Sequence, residues 1–448
     1  MSAPPTTLSA TAPAEARELY ARGLWHFVSF YGDPLAAFDA TLAAAPRWGL
    51  AHVVKAVFVL TLTEPAMLPL ARQSLADAEP LMADASAPER GHFEAARAAL
   101  AGRWHDACAR WDALLLADPL DALALGAAHL FDFYRGDARN LRARVARVLP
   151  EWPRDDPLQP FVLGMHAFGL EECNLYGAAE QAGRAALERD PRGPWAIHAV
   201  AHVMEMQGRH TEGAAWLEAR RTDWADNGLA VHLWWHLGLF RLEALDTAGA
   251  LALYDAAIAG AAAGVNLQWL DAAALLWRLR LLGVDTGPRW QALAADWGDP
   301  LGHAGHYAFN DVHALLALLG SGDLGRAEAL LRAVIERAAR PDAADNGAMA
   351  REVGVPLMQA LIAFERGDAG AALALLYPLR AVAHRFGGSH AQRDLIDQTL
   401  LAAAARSRDR SDGQAIGRAL LNERRLAKPM TPLTAHWAAR LGAPHPID

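Results

Sequence analysis

Small and apolar residues form segments of helical length along the chain, and short breaks separate these segments. Two examples are LYGAAEQAGRAALERDP at 175–191 and WHDACARWDALLLADP at 104–119, which both end in Asp-Pro. Proline ends a helix because it lacks the backbone N–H that a continuing helix needs. The pattern predicts a series of helices, and no alternating strand pattern of useful length competes with it.

The breaks recur at a nearly regular distance. Prolines that close a segment fall at Pro46, Pro88, Pro119, Pro157 and Pro191, with gaps of 42, 31, 38 and 34 residues. The average, about 36, is near the period of a tetratricopeptide repeat, which is a pair of helices. Later segments begin with a turn that contains glycine. We therefore predict an all-α fold, a tetratricopeptide-like right-handed solenoid of about eleven helix pairs with a concave central pocket.

The repeats are predicted to form one domain over residues 17–429. Residues 1–16 have neither a basic start nor an apolar core, so we interpret them as a disordered lead-in and not as a secretory signal. Residues 430–448 are predicted to form a C-terminal cap or tail.

One helical segment carries an unusual polar stripe. In HAVAHVME, His198, His202 and Glu205 lie on one face of the helix, with Trp195 at its edge. In VHLWWHLGLFRLE, His232 and His236 each follow a histidine of the first segment by 34 residues. The four histidines therefore occupy equivalent positions in adjacent first helices, which line the concave surface of such a solenoid.

Other polar residues extend this series through the chain. Glu171 precedes Glu205 by 34 residues, and one histidine recurs in each earlier unit, at spacings of 37, 37 and 36: His92, His129, His166 and His202. HYAFNDVH adds Asp311 and His313. GGSHAQRDLID adds Ser389, His390, Arg393 and Asp394 at the start of a helix, where free N–H groups favour an anion.

Composition narrows the function classes. The net charge is −9 and the arginines are scattered among acids, so nucleic acid is not an expected partner. No apolar run reaches the length that spans a bilayer, so no membrane contact is expected. With two cysteines, Cys108 and Cys173, a disulfide framework is not expected, and we predict a cytoplasmic location. The exposed ends of a repeat array favour self-association.

The histidines have three interpretations. They can be packing residues of a tightly wound solenoid. They can bind a divalent metal through His198, His202, His232 and His236, because histidines one helical turn apart bind metal together. They can also line a metal-free acid–base pocket, with Trp195, Trp234 and Trp235 as apolar walls. No nucleotide-cofactor motif is present, so no cofactor is predicted beyond the metal alternative.

These blocks, HAVAHVMEMQGRHTEGAAWL, HLWWHLGLFRLEALD, FNDVHA and GGSHAQRD, together resemble the tetratricopeptide repeat protein 38 family. The resemblance spans most of the chain, from about Tyr20 to Leu426. It implies a tetratricopeptide-like solenoid in the cytosol, and it brings no reaction or ligand with it.

We therefore predict a pocket that binds a small organic molecule and acts on it by histidine acid–base chemistry, such as hydrolysis, addition–elimination or isomerisation. The alternative is a protein- or peptide-binding scaffold without catalysis. The predicted catalytic residues are His198, His202, Glu205, His232, His236, Asp311, His313 and His390. The predicted ligand-binding residues are His166, Glu171, Trp195, Trp234, Trp235, Ser389, Arg393 and Asp394.

Overall fold

The computed structural model describes residues 12–260, 266–407, 410–428 and 430–443. These residues form helices joined by short turns, and no β-strand occurs among them. The prediction of an all-α, tetratricopeptide-like fold is confirmed. None of the helices in this described part combines the length and the apolar character that a membrane span needs.

The chain divides into two compact units, of which the first contains residues 1–200 and 222–229. Its repeats are five successive helix pairs. The helices are α1 (Ala14–Ser29), α2 (Pro34–Ala44), α3 (Gly49–Thr61), α4 (Leu68–Ala78), α5 (Ala87–Leu100), α6 (Trp104–Ala117), α7 (Ala122–Tyr134), α8 (Ala138–Val148), α9 (Gln159–Glu171) and α10 (Tyr176–Arg189).

The division between the units falls inside the sixth pair. This pair and the short helix after it are α11 (Pro194–Met206), α12 (His210–Ala219) and α13 (Arg221–Trp224). Val200 ends the first long stretch of unit one, and residues 201–221 belong to unit two.

Unit two continues from residue 230 with five more pairs, a short helix α20 before the fourth of them, and a final single helix. They are α14 (Ala230–Glu243), α15 (Thr247–Leu253), α16 (Asn266–Leu281), α17 (Arg289–Trp297), α18 (Ala308–Gly320), α19 (Leu324–Ala338), α20 (Ala344–Met349), α21 (Val355–Glu365), α22 (Ala369–Leu379), α23 (His390–Arg406), α24 (Arg410–Ala427) and α25 (Pro432–Arg440). The described residues thus contain eleven pairs, as the repeat spacing predicts.

A Gly-Asp dipeptide starts several second helices. The glycine has a positive φ, which turns the chain after the first helix, and the aspartate then caps the next helix by accepting a backbone N–H. These dipeptides are Gly32-Asp33, Gly136-Asp137, Gly322-Asp323 and Gly367-Asp368. The local sequence therefore determines where these helices begin.

Aromatic side chains join distant repeats inside unit one. Helix α1 packs against α7 as well as against its partner α2. The Trp25 ring lies 6.2 Å from Phe161, and the Phe30 ring lies 5.4 Å from Trp195. Gly228 donates its backbone N–H to the Phe30 carbonyl at 2.7 Å. Side chains of the first repeat therefore fill the space beside the later first helices.

Unit two is also joined across distant repeats. Helix α16 packs against α23, and Trp277 donates its indole N–H to Thr399 at 2.9 Å. The Trp277 ring also lies 5.9 Å from Phe364 of α21. Trp277 is fully buried, so it helps to form the core of this unit.

Helices lie close to both ends of the predicted repeat domain. Helix α1 begins at Ala14, three residues before the predicted domain start, and residues 1–11 of the predicted lead-in lie outside the described residues. In the predicted cap, α25 contacts α14, α23 and α24. Residues 444–448 also lie outside the described part, and the extent of the repeat domain stays a prediction.

Candidate functional site

Three predicted site histidines meet inside unit two. His202 comes from α11, and His232 and His236 come from α14, one turn apart. Each of the three offers a ring nitrogen, and these nitrogens lie within 4.8 Å of one another. The His236 ring centroid lies 4.5 Å from that of His202 and 4.8 Å from that of His232. We call these three residues the histidine cluster.

Two carboxylates orient the cluster. Glu205 Oε2 lies 2.9 Å from Nδ1 of His236, and the carboxylate oxygens of Asp271 lie 3.0 Å from Nδ1 of His232. A carboxylate beside Nδ1 favours the tautomer that carries its proton there, so that Nδ1–H donates to the acid. The Nε2 atoms of both rings are then the nitrogens that can bind a further group.

The surroundings of the cluster are dry and aromatic. His202 and His236 are fully buried, whereas the side chain of His232 is 17% exposed. The Trp235 ring stacks on His232 at 5.1 Å and meets the edge of His236 at 4.9 Å. His232 is therefore the member of the cluster that solvent reaches.

Glu205 has an unusual charge environment. Burial raises its pKa from 4.5 to about 7, although Lys428 and His202 act in the opposite direction. Glu205 also lines a small cavity in unit two, so it connects the histidine cluster with that cavity.

Beside the cavity lies a network of buried ion pairs. Lys428 Nζ lies 3.1 Å from Glu243, which also accepts the Thr431 hydroxyl at 2.6 Å. Burial by itself raises the pKa of Glu243, but Lys428, Arg424 and the Thr431 hydroxyl together lower the pKa below its usual value. Asp394 forms an ion pair with Arg424. Burial opposes its ionisation as well, yet Arg424 and Lys428 lower the pKa of Asp394.

The cavity itself offers about 20 Å³ to the centre of a water-sized molecule. Its lining residues are Glu205, Leu239, Leu242, Glu243, Arg278, Leu282, Asp394, Gln398, Leu433 and Trp437. This volume is room for one water molecule, and it is far below the roughly 300–1,000 Å³ of sites that enclose organic ligands. The cavity is therefore too small for a drug-sized molecule.

The predicted site residues of unit one lie among aromatic side chains. Trp195 packs against Phe168 and His129, with ring centroids 5.5 and 5.1 Å away. His198 is buried, and its ring lies 5.1 Å from Phe168. On α11, His198 precedes His202 by one turn, and it belongs to the part of the helix in unit one.

Two further predicted residues of unit one lie on α9. Glu171, the last residue of the helix, is fully buried. His166 is half-buried, and burial and Arg142 lower its pKa.

Asp311 and His313 lie on α18, and backbone groups hold them. Gly305 donates its N–H to the two carboxylate oxygens of Asp311, at 3.1 and 3.2 Å. Burial raises the pKa of Asp311 to about 7. His313 Nδ1 lies 2.8 Å from the Phe309 carbonyl, and burial lowers the pKa of His313 to about 4. These contacts support local structural roles, and the predicted catalytic roles remain predictions.

The GGSHAQRD block forms the start of α23. Ser389 accepts the Gln392 N–H while its own N–H donates to the Gln392 side chain, which is a capping box. Arg393 donates to the Gly388 carbonyl and lies 3.1 Å from Nδ1 of His390. The serine thus has a structural role at the helix start.

The predicted ligand-binding residue Trp234 lies on another helix, α14, where it is half-buried.

The prediction from sequence missed several residues around the cluster. Asp271 and Arg278 lie on α16, where each interrupts an otherwise apolar segment, and that interruption was the available signal. Lys428 joins the network from the position directly after α24, and nothing in its local sequence indicates a partner 185 positions away.

No profile of a known protein family matches the chain. Human IFIT1, solved as a dimer with PPP-AAAA, is 12% identical with a TM-score of 0.44, and the match covers 97% of this chain and 95% of that one. Yeast Tom70 is 11% identical with a TM-score of 0.33, and the match covers 95% of both chains. The resemblance to the tetratricopeptide repeat protein 38 family therefore stays a prediction.

Proposed function

We propose that this chain binds one divalent transition-metal ion through the histidine cluster and acts there on a small polar molecule by acid–base chemistry. The convergence of His202, His232 and His236 is the observation that carries this proposal. Three imidazoles on two helices form a donor set that zinc and neighbouring transition metals prefer.

The distances between the ring nitrogens of the cluster are compatible with zinc binding after small movements of the side chains. Zinc lies about 2.0–2.1 Å from a histidine nitrogen, so tetrahedral ligands stand about 3.4 Å apart. The cluster nitrogens lie within 4.8 Å of one another. Modest rotations of the three side chains would bring them to this spacing.

The carboxylates support the same interpretation. Histidines that bind metal commonly donate their other ring N–H to an acid, which orients the ring and increases its basicity. Glu205 and Asp271 stand in this position toward His236 and His232. A bound ion would polarise a substrate or lower the pKa of a water molecule.

The limited access of solvent to the histidine cluster supports a small molecule as the reactant. Solvent reaches the cluster at His232, while the fully buried His202 and His236 keep the rest of the site dry. A dry site strengthens electrostatic interactions with a reacting group. Hydrolysis, addition–elimination or isomerisation of a small polar molecule fits this environment.

Elemental analysis of the purified, untagged protein tests the metal. We expect close to one zinc, manganese, iron or nickel ion per chain, lost in His236→Ala and in His232→Ala. His210→Ala, on the neighbouring α12, is the matched control and should retain the ion. Helical circular dichroism shows whether each variant is folded. Absence of metal from the wild type, together with no Co²⁺ absorption on titration, would contradict the proposal and favour the scaffold alternative.

The same titration tests the fourth ligand predicted from sequence. If His198 binds the ion, His198→Ala should change the visible spectrum of the Co²⁺ protein and weaken binding. If it does not, the spectrum should persist, and a water molecule or substrate can take the fourth position. Activity is then measured with a panel of small esters, amides and hydroxy acids, with His210→Ala as the control. Loss of metal and activity together supports the reaction as well as the site.

A further inference from the structure

Two of the three carboxylates that line the small cavity already have a cation of their own. Glu243 is paired with Lys428, and Asp394 is paired with Arg424. The third carboxylate, Glu205, has a histidine ring beside it but no lysine or arginine within ion-pair distance in the described part of the chain. A buried charge is strongly unfavourable without a counter-charge. Glu205 is therefore the carboxylate of this cavity whose charge remains to be balanced.

Arg278 is the cation that lines the same cavity, and it is only 5% exposed. Its hydrogen bonds go to backbone carbonyls, those of Ala274 at 3.0 Å, Ala391 at 2.8 Å and Gln392 at 3.4 Å. A guanidinium has five N–H groups, so these three bonds leave two of them to donate elsewhere. Arg278 and Glu205 thus line one cavity with opposite charges, and neither contacts the other directly.

The cavity has the size and the polar groups that one water molecule needs. Its volume is room for a single water. Glu205 Oε2 lies 2.9 Å from Nδ1 of His236, whereas no donor of the described residues lies at Oε1. Gln398, the remaining polar side chain of the lining, is engaged by two other side chains. A water molecule can therefore accept an N–H of Arg278 and donate to Oε1 of Glu205, and such a bridge is nearly as favourable as a direct hydrogen bond.

We propose that one ordered water molecule in this cavity joins Arg278 to Glu205, and that Arg278 is thereby a positioning residue of the metal site. Arg278 donates to the water, the water donates to Oε1, and Oε2 accepts the Nδ1–H of His236. This chain of hydrogen bonds holds the carboxylate in the orientation that leaves Nε2 of His236 for a metal ion. The positioning role rests on the proposed function, whereas the water bridge does not.

Two measurements on the chelated, metal-free full chain test the water bridge by itself. Leu282 lines the cavity, and Leu282→Phe brings a larger apolar ring against it, so magnetic relaxation dispersion of the water oxygen should detect one long-lived water fewer than in the wild type. Nitrogen NMR of the histidine rings reads the tautomer of His236, and Arg278→Gln should shift these signals, which are assigned by their loss in His236→Ala. Arg280→Gln is the matched control, since Arg280 lies on the same helix and pairs with Glu365.

A double-mutant cycle on metal affinity tests the positioning role. Arg278→Gln should weaken metal binding by about tenfold in the otherwise wild-type chain. In Glu205→Gln the same change should weaken it by less than about twofold, because its effect passes through that carboxylate. Arg278→Lys keeps a charged donor and should bind metal more tightly than Arg278→Gln. Independent effects of the two substitutions would overturn the positioning role, since a residue that only stabilises helix packing acts additively.

Leu282→Phe keeps the test decisive if Arg278→Gln does not fold, because it displaces the water and leaves both charged side chains in place. The same cycle with Glu205→Gln then applies to it. No loss of a long-lived water in Leu282→Phe, or unchanged His236 signals in every folded variant of the cavity, would overturn the water bridge. A wild type that binds no metal would instead contradict the proposed function, and the metal-free measurements would still decide whether the bridge exists.

Discussion

Histidines lie at equivalent repeat positions in both units, but their neighbours differ. In unit one, His129 on α7 is enclosed by the rings of Trp195 and Phe168, at 5.1 and 6.4 Å. In unit two, His236 on α14 has the carboxylate of Glu205 at Nδ1. One repeat position therefore serves aromatic packing in one unit and a polar site in the other. The difference lies in the residues that neighbouring helices bring to the histidine.

Acid–histidine pairs also differ between the units. In unit one, Asp121 lies 2.8 Å from His92, and the same aspartate caps α7 by accepting the Ala124 N–H. That pair joins a histidine to a helix start. In unit two, Asp271 lies in the middle of α16, where the helix needs no cap. The Asp271 carboxylate is thus available to orient His232, which supports a functional role for it.

The largest expected contrast concerns the two lysines of the sequence, Lys55 and Lys428. Lys428→Met leaves Glu243 buried without its cation, which should lower the free energy of unfolding by about 3–5 kcal/mol. Lys55→Met removes a partly exposed ion pair with Asp39 and should change the free energy of unfolding by less than about 1 kcal/mol. Urea denaturation measures both. Equal effects would mean that the ion pairs in unit two do not stabilise it.

Low pH should destabilise the folded protein through the packed histidine of unit one, His129. Burial lowers the pKa of His129 from 6.5 to about 3, so the folded protein resists protonation that the unfolded chain accepts. Stability is therefore lost as the pH falls below about 6.5. We expect His129→Leu to recover about 2–3 kcal/mol at pH 4.5 and little at pH 7, measured by urea denaturation at both values. An identical effect at the two pH values would contradict a neutral, packed His129.

Metal affinity should separate the two acid–histidine pairs. Asp271→Asn keeps the size of the side chain but removes the charge that orients His232, and should weaken metal binding by about 10–100-fold. Asp121→Asn changes the corresponding acid of His92 in unit one and serves as the control, with unchanged metal affinity. Competition with a chelator of known affinity measures both. Equal affinities for the wild type and Asp271→Asn would remove Asp271 from the proposed site.

The smallest contrast concerns two capping boxes, one in each unit. Ser86 caps α5 with Glu89, and Ser389 caps α23 with Gln392. Replacement of either serine by alanine should lower the free energy of unfolding by about 1 kcal/mol. Ser389→Ala should leave metal binding unchanged. Weaker metal binding or lower activity of Ser389→Ala at unchanged stability would instead support the ligand-binding role predicted from the sequence.

The sequence by itself determined the fold class and the helix pairs of this protein. Turn chemistry acts locally, so Gly-Asp dipeptides and Asp-Pro endings specify helix bounds without reference to distant residues. The 34-residue spacing also placed His202 and His236 in adjacent first helices, and their ring centroids lie 4.5 Å apart. Periodicity predicts such contacts because consecutive repeats stack in register.

Only the tertiary structure decided which histidines have acidic partners and where the buried charges pair. Asp271 faces His232 across 39 positions of sequence, and Lys428 reaches Glu243 across 185. Burial and electrostatic pairing depend on which helices meet, and a repeat period carries no information about such distant contacts. The same limit explains why His129 and His236 look alike in the sequence but have different surroundings in the fold.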